Sequence, residues 1–344
     1  MNTSSVTLFN TKLTDLRSAK KEWSERLLQA PRAEAFRAFA AASSVAPEQN
    51  VVGVGIGEQV VDDKPTGIMA VKFFVRVKYA EHELSKKTLL PKSIAGLPVD
   101  VEETGLFRRF APAKTKATTA SMPNPKTKIR PAQPGCSIGY KDPANLIIMA
   151  GTFGAVVKDS AGQYVMSNNH VLADEGRLAA GAAIFQPGLL DGGNATTDQI
   201  AALTRFIALQ AGGNKVDCAI AKVTNNNLVS KDVLHIGAPT GAADAAIDMA
   251  VHKFGRTTSY TVGHVKSIDT DVTVGYETGN FTFQGQIIIT GTSKHVFSAA
   301  GDSGSLILQR GMNKAVGLLF AGSSSHTIAN HIGDVLQALK VTLA

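Results

Sequence analysis

Apolar residues recur at helical spacing between charged residues over positions 12–45, near the start of the chain. The apolar set is Leu13, Leu16, Leu27, Leu28, Phe36 and Phe39. Pro31 stands where a second helix could begin, because proline is accepted at the first helical position. The pattern predicts a helical N-terminal segment, residues 1–49, with two amphipathic helices. Their apolar faces permit packing on the rest of the chain or self-association with a second copy.

The pattern changes to β-rich runs between residues 50 and 105. Two of them, NVVGVGIGEQVV and GIMAVKFFVRVK, are joined by DDKPTG, whose residues favour a turn, so we expect a hairpin. A short helix is predicted for AEHELSKKTLLP and a further strand for GLPVDVEETG. These elements predict a small α+β module. The GVGIG run does not lead into a helix, and glycines at a bulged strand explain it better than a dinucleotide-binding loop.

Beyond residue 135 the chain becomes a long series of short apolar runs separated by Gly, Asn and Asp. Examples are GTFGAVVKD, QYVMSNNHVLA, VDCAIAKV, FTFQGQIIITG and KAVGLLFAG. Many short strands with turn residues between them are typical of an all-β barrel or sandwich pair. The last run, HIGDVLQALKV, has helical spacing and predicts a C-terminal helix. Residues 135–344 are therefore predicted to form a mainly β domain.

Charge separates the N-terminal part from this β domain. The chain carries a formal charge of +7, and residues 106–134 hold seven basic side chains and no acidic one. Without those seven, 28 basic residues would balance 28 acidic ones. The segment is rich in Pro, Thr and Lys and lacks apolar periodicity, which predicts an extended linker. No aromatic platform accompanies its charge, so we do not expect nucleic acid as a partner, although contact with nucleic acid or an acidic protein stays an alternative.

The rest of the composition bears on compartment and cofactors. No apolar run reaches the roughly 20 residues that a membrane-spanning helix needs, so we expect no membrane contact. The start of the chain lacks a secretory signal pattern, and two cysteines, Cys136 and Cys218, do not make a disulfide framework. A cytoplasmic protein is the expectation. Neither cysteine belongs to a metal-ligand pattern, and no metal or cofactor is expected.

The stretch FSAAGDSGSLIL raises the question of chemistry, because it sets Ser303 between an aspartate and two glycines before an apolar strand. A serine hydroxyl is a weak nucleophile unless a base takes its proton, and histidine suits that task. Of eight histidines, His170 lies in YVMSNNHVLAD at a predicted strand end, where it could face a cleft. Asp217 begins an apolar run, where burial of a charge costs free energy unless the charge is paired or hydrogen-bonded. Cys218 beside it is read as a core residue, not as a second nucleophile.

The order His170, Asp217, Ser303 is that of chymotrypsin-like triads. Residues 135–340 resemble a trypsin-like, chymotrypsin-fold serine peptidase of the bacterial branch, with GDSGS, SNNHV and VDCAIA as the matching motifs. FQPGLLDGG and KFGRTTSYTVGHV are similar to a bacterial group related to plant narrow-leaf-type proteases, which has Gly where this chain has Ser259. That departure puts only a local loop in doubt.

The resemblance implies a double β-barrel with the site between the barrels, His170 as base, Asp217 as its support and Ser303 as nucleophile. It implies an oxyanion hole made by the backbone N–H groups of Gly301 and Ser303. By the family's spacing, Phe297 would lie at the base of the side-chain pocket. Its wall would come from Ala321, Gly322 and Ser323. A small or apolar side chain is then preferred, or an acidic one if Lys294 and His295 reach the pocket.

Three classes of function follow. The first is a serine endopeptidase with protein or peptide substrates, and the intact set of three residues favours it. The second is a peptide-binding scaffold that uses the cleft without efficient cleavage. The third is the nucleic-acid or acidic partner of the basic segment. For the peptidase, Asp302 suggests control by cleavage within residues 106–134, because animal zymogens pair this aspartate with a newly freed amino terminus; an inert spacer is the alternative.

Overall fold

A computed structural model describes residues 3–28, 47–62, 64–109, 122–141, 148–292 and 295–344 of the protein, with side chains of the first helix from Lys12 onward. The first predicted helix is present as α1 (Thr3–Leu27), and it buries Leu16. The second helix, predicted around Phe36 and Phe39, lies outside the described residues. Among the helices of the described ranges, none is long and apolar enough to cross a membrane.

The hairpin predicted from the β-rich runs is formed by the first two strands, which are antiparallel. The strands of the N-terminal part are β1 (Val51–Val61), β2 (Lys64–Val75), β3 (Ser93–Ile94), β4 (Leu97–Glu103) and β5 (Arg108–Arg109). A single 3₁₀ turn, Glu81–Glu83, stands where a short helix was expected. Strand β4 returns parallel to β2.

The first barrel follows, and the helix α2 (Asn169–Leu172) lies between two of its strands. Its strands are β6 (Ser137–Tyr140), β7 (Gly151–Thr152), β8 (Ala155–Asp159), β9 (Gly162–Ser167), β10 (Ala183–Phe185), β11 (Gln199–Phe206) and β12 (Ala219–Val223). The segment that contains β7 and β8 pairs with β6 at its start and with β9 at its end. Because one segment joins both edges, the sheet closes around a core that includes Phe153 and Val165.

The second barrel is a closed ring of strands in the order β13-β16-β17-β18-β15-β14, since β13 also pairs with β14. Its strands are β13 (Ala250–Gly255), β14 (Ser259–Gly275), β15 (Asn280–Gly291), β16 (Leu306–Gln309), β17 (Ala315–Gly322) and β18 (His326–His331). The predicted C-terminal helix is α3 (Ile332–Leu339), and β19 (Thr342–Leu343) then pairs with β8 of the first barrel. The chain is thus mainly β, and the predicted double β-barrel is confirmed.

The N-terminal strands extend the sheet of the second barrel, because β1 pairs antiparallel with β14. Helix α1 packs against β1 and β2, where Leu16 contacts the apolar cluster that includes Ile56 and Phe73. A buried ion pair of 2.5 Å between Lys20 and Asp271 ties the helix to the barrel. Residues 50–105, predicted as a module of their own, therefore share one continuous sheet with the barrel. Sequence runs predict strands but not which edges will pair.

Both ends of the segment 106–134 pack against the barrels within its described residues. Towards the start of this segment, Phe107 is fully buried and β5 pairs with two strands of the second barrel. Towards its end, Ala132 donates a backbone hydrogen bond of 2.7 Å to Leu228. The described ends thus differ from the solvated spacer that composition predicts, because a buried phenylalanine and backbone pairing hold them against the barrels.

Candidate active site

The three residues predicted from motifs lie at strand ends of the two barrels. His170 lies on α2, directly after β9, and Asp217 comes two residues before β12, both in the first barrel. Ser303 lies in the loop that enters β16 of the second barrel. The segments that carry His170 and Ser303 approach each other closely at Gly151. A Cβ at this position would lie 2.6 Å from the side chain of Val171 and 3.1 Å from the carbonyl of Ser303. The fold therefore brings the histidine and serine segments together.

The carboxylate of Asp217 makes two contacts to His170 and one to its neighbour Asn169. Its Oδ1 accepts from the backbone N–H of Asn169 at 2.7 Å and of His170 at 3.3 Å. Its Oδ2 lies 2.6 Å from Nδ1 of the His170 ring. With the proton of a neutral imidazole on Nδ1, the other nitrogen, Nε2, is an acceptor. That Nε2 is buried and has no hydrogen-bond partner among the described residues.

A fourth residue, Tyr276, completes this arrangement. Its phenol donates a hydrogen bond of 2.7 Å to Oδ2 of Asp217, and its ring meets the His170 ring edge-on at 5.9 Å between centroids. Burial, together with the negative charge of Asp217, raises the pKa of the Tyr276 phenol well above its usual value, so the phenol keeps its proton. Sequence reasoning missed Tyr276, because it sits in the turn between β14 and β15 with no motif around it.

Asp217 is fully buried and nevertheless stays ionised. Burial alone would raise the pKa of its carboxyl, but the electrostatic interaction with His170 and the hydrogen bonds from His170 and Tyr276 outweigh burial and lower it. Its backbone N–H also donates to Oδ1 of Asn330 at 3.0 Å. The result is a fixed negative charge behind the imidazole.

Ser303 is also fully buried, and its hydroxyl points to the backbone. The Oγ donates to the carbonyl of Phe320 at 3.4 Å, so no hydrogen bond to His170 is formed in this conformation. Hydrogen bonds of this kind are often absent without substrate and form when one binds. Rotation about the Cα–Cβ bond of Ser303 is the movement that can turn Oγ to another acceptor.

The loop before Ser303 bends sharply at Gly301. Gly301 has φ of 97°, a value in the left-handed region that favours glycine, and a Cβ there would collide with Thr257 and Arg256. Among the hydrogen bonds of the described residues, none is donated by the backbone N–H of Gly301 or Ser303. Two N–H groups predicted to bind an oxyanion therefore have no acceptor of their own.

Asp302 anchors this loop from inside. Its carboxylate accepts from the backbone N–H of Thr257 at 2.8 Å and of Ala299 at 3.0 Å. The ammonium of Lys253 lies 3.4 Å from Oδ2, and both side chains are fully buried. Burial lowers the pKa of Lys253, and the charge of Asp302 opposes that change. A lysine of the barrel thus supplies a buried cation beside Asp302.

Comparison with known proteins agrees with this geometry. Residues 205–327 match the model of Peptidase family S64, a stretch that includes Asp217 and Ser303 but not His170. The domain that contains this stretch, residues 135–344, is thus similar to a peptidase and is called the peptidase domain below. No curated protein matches the chain by sequence at a significant level.

Solved structures similar to the peptidase domain are bacterial proteases. Protease A of Thermobifida fusca is 18% identical, with 61% of this chain and 97% of that chain covered and a TM-score of 0.43. The Nocardiopsis protease is 15% identical, with 62% and 99% covered and a TM-score of 0.44. The chymotrypsin of Cellulomonas bogoriensis is 17% identical, with 61% and 97% covered and a TM-score of 0.42.

The residues predicted for the side-chain pocket of the peptidase domain lie in two places. Phe297 is 1% exposed and packs with Val251, Val265 and Ile289 in the core of the second barrel. The ring of Phe297 thus lies in the apolar core of the second barrel, whereas the residue spacing of the family predicts it at the base of the side-chain pocket. Ala321, Gly322 and Ser323 follow Phe320 at the end of β17, beside Ser303. Of the two basic residues considered for an acidic preference, His295 is exposed and Lys294 lies outside the described residues.

Both cysteines of the peptidase domain are buried thiols. Burial raises the pKa of Cys136 to about 12. Burial, with the charge of Asp217, also raises the pKa of the Cys218 thiol well above its usual value. A protonated thiol is a weak nucleophile, so this agrees with the interpretation of Cys218 as a core residue. Within the described ranges, no cluster of three or more His, Cys, Asp and Glu side chains could hold a metal ion.

Proposed function

We propose that the domain formed by residues 135–344 is an endopeptidase that cleaves protein or peptide substrates with Ser303, His170 and Asp217. The observation that carries the proposal is the hydrogen bonding of Asp217, whose Oδ1 accepts from the backbone N–H of His170 and whose Oδ2 lies beside Nδ1 of its ring. This arrangement leaves Nε2 as a base that faces no other acceptor or donor of the described residues. A scaffold that only binds peptides has no need for an oriented base.

The reaction follows from these positions. Ser303 Oγ turns from the Phe320 carbonyl, gives its proton to His170 Nε2 and attacks the scissile carbonyl carbon. The oxygen of that carbonyl becomes an oxyanion and accepts from the N–H groups of Gly301 and Ser303. Loss of one such donor typically costs about 3–4 kcal/mol of transition-state stabilisation.

The leaving amine takes the proton from His170 Nε2 as the C–N bond breaks, which leaves an ester on Ser303. Water then attacks the ester carbon and gives a proton to His170, which passes it to Ser303 Oγ as the ester bond breaks and the new carboxyl end leaves. Throughout, Asp217 keeps its negative charge and stabilises the imidazolium, helped by the neutral phenol of Tyr276.

The test is labelling of the full-length chain with a fluorophosphonate probe, followed over hours. Labelling is expected to require Ser303 and His170, so that Ser303→Ala and His170→Ala abolish it. Ser160→Ala, which changes an exposed serine of a turn, serves as the matched control and should label like the wild type. Labelling that persists in Ser303→Ala would contradict the assignment of the nucleophile.

A further inference from the structure

The end of β17 beside Ser303 offers a backbone edge to an added strand. Leu319 makes the last pair of backbone hydrogen bonds on that side, donating to Ser305 at 3.0 Å and accepting from Gly304 at 2.8 Å. Beyond Leu319, the backbone N–H and C=O groups of Ala321 and Gly322 continue this edge of β17 as a row of hydrogen-bonding groups. An extended peptide that reaches Ser303 can use this row, because a strand added to an exposed edge gains regular main-chain hydrogen bonds.

Strand β5 of the chain itself occupies this row. It pairs antiparallel with β17, with Arg109 opposite Ala321 and Arg108 opposite Gly322. On its other side it meets β14, where Gly275 donates to the carbonyl of Phe107 at 3.2 Å. In this register, the next residue along a peptide would come opposite Phe320, whose carbonyl lies 3.4 Å from Ser303 Oγ. The strand therefore runs towards the nucleophile as a substrate would.

The side chains of this strand are held in separate places. Phe107 is fully buried and packs with Phe74, Phe283 and Phe320. Two residues later, the guanidinium of Arg109 contacts carboxylates from both barrels, with Nε 2.7 Å from Glu175 and Nη2 bonded to Glu277. The Arg109 side chain is 8% exposed.

Glu175 is built to receive a cation. Its side chain is fully buried, and its two oxygens accept from the backbone N–H groups of Glu277 at 3.1 Å and Thr278 at 2.9 Å. Those donors fix the carboxylate beside the cleft, and Arg109 supplies the charge that a buried carboxylate requires. Glu277 adds a second carboxylate, more exposed, on the same guanidinium.

In this arrangement Ser303 is 0% exposed and His170 is 1% exposed. We infer that Glu175 and Glu277 form a subsite for a basic side chain of a peptide bound along Ala321 and Gly322, and that Arg109 fills this subsite in cis and restrains the peptidase. The inference rests on the proposed function of the cleft. It names peptides with a basic residue opposite Ala321 as the substrate class.

The first test measures probe labelling of Ser303 in the full-length chain. Arg109→Ala is expected to raise the labelling rate at least about tenfold over wild type, because the strand loses its charged anchor. Glu277→Gln, which changes an exposed side chain and keeps Glu175, should raise it by a smaller factor. Arg310→Ala, at an exposed arginine away from the cleft, is the matched control and should leave the rate unchanged. Equal rates in wild type, Arg109→Ala and Glu277→Gln would overturn the restraint.

The second test does not depend on catalysis. The full-length chain with Arg109→Ala and Ser303→Ala is titrated into two fluorescein-labelled peptides, LFRRF, the sequence of residues 106–110, and the same peptide with citrulline for its second arginine. Citrulline keeps the shape of arginine without its charge. The arginine peptide is expected to bind about tenfold more tightly, and a further Glu277→Gln substitution should reduce that preference. Equal binding, or no binding of either peptide, would overturn the subsite.

The two tests separate the inference from the proposed function. A preference for the arginine peptide without labelling in Arg109→Ala would uphold the subsite and refute the catalytic proposal. Labelling that needs Ser303 and His170, without any peptide preference, would do the reverse.

Discussion

The phenol of Tyr276 donates a hydrogen bond of 2.7 Å to Oδ2 of Asp217, across the boundary between the two barrels. The same oxygen accepts from the ring of His170. A residue from the turn of the second barrel thus helps to position a base of the first barrel. The contact makes the geometry of the base depend on how the two barrels meet.

Tyr276→Phe removes this donor and keeps the ring. The Ser303 labelling rate should fall about tenfold, which corresponds to about 1.4 kcal/mol, close to the lower end of the usual range for a hydrogen bond to a charged group. The pKa of Asp217 is lowered by its donors, so loss of one raises it, and labelling should be lost at a higher pH as the solution is acidified. The rate is measured from pH 4 to 9, with and without Arg109→Ala.

Tyr140→Phe is the matched control for this prediction, because it also removes a buried phenol donor, that to Asp174, without touching Asp217. Its pH profile should follow that of the unmodified chain. A Tyr276→Phe variant with an unchanged rate and an unchanged profile would show that the phenol has no part in positioning Asp217.

The sequence carried enough information for Ser303, His170 and Asp217, because each lies in a local motif whose residues must be adjacent in the chain. It carried none for Tyr276 or Glu175, whose partners depend on the register of distant strands. Strand β5 was missed for a related reason. Its two arginines lie in a basic, aperiodic segment, and nothing local shows that Phe107 finds an apolar cluster or that Ala321 offers a free edge.

Lys253→Met leaves the buried carboxylate of Asp302 without its cation. Loss of one partner of a buried pair typically costs about 3–5 kcal/mol, so we expect a fall of that size in the free energy of unfolding by urea. The Ser303 labelling rate should fall as well, because Asp302 holds the loop that carries Gly301. Lys314→Met, at an exposed lysine, is the control. A variant with unchanged stability and labelling would show that the remaining donors to Asp302 suffice.

The same contact bears on activation by cleavage. Because Lys253 already occupies the site beside Asp302, no freed amino terminus is needed there. The Arg109→Ala chain should therefore label with its covalent chain intact, as intact-mass measurement before and after labelling can show. Labelling that appears only in molecules cut within residues 106–134 would favour the cleavage hypothesis instead.

The two thiols should be inert in the folded protein. Because burial raises the pKa of both Cys136 and Cys218, iodoacetamide at pH 8 is expected to modify neither thiol, while both react in urea. Treated protein should keep its labelling rate with the fluorophosphonate. Rapid modification of native Cys218, with loss of labelling, would contradict its place in the core and reopen its role as a nucleophile.

Glu102 links the N-terminal strands to the second barrel, with its carboxylate 2.9 Å from Lys72 and 2.8 Å from His326. Burial would raise its pKa, but the hydrogen bond from His326 and the charge of Lys72 outweigh burial and lower the pKa to about 2.

A carboxyl with a lowered pKa stabilises the fold above its ordinary pKa near 4.5, and this stability is lost as the pH falls towards 2. Glu102→Gln should therefore lower the free energy of unfolding by about 1–3 kcal/mol at pH 7 and by less than half as much at pH 3, as urea titrations at the two pH values can measure. Glu103→Gln, at the exposed neighbour, should change neither value. A difference between Glu102→Gln and wild type that is as large at pH 3 as at pH 7 would show that the charge of Glu102 is not what holds the strands in place.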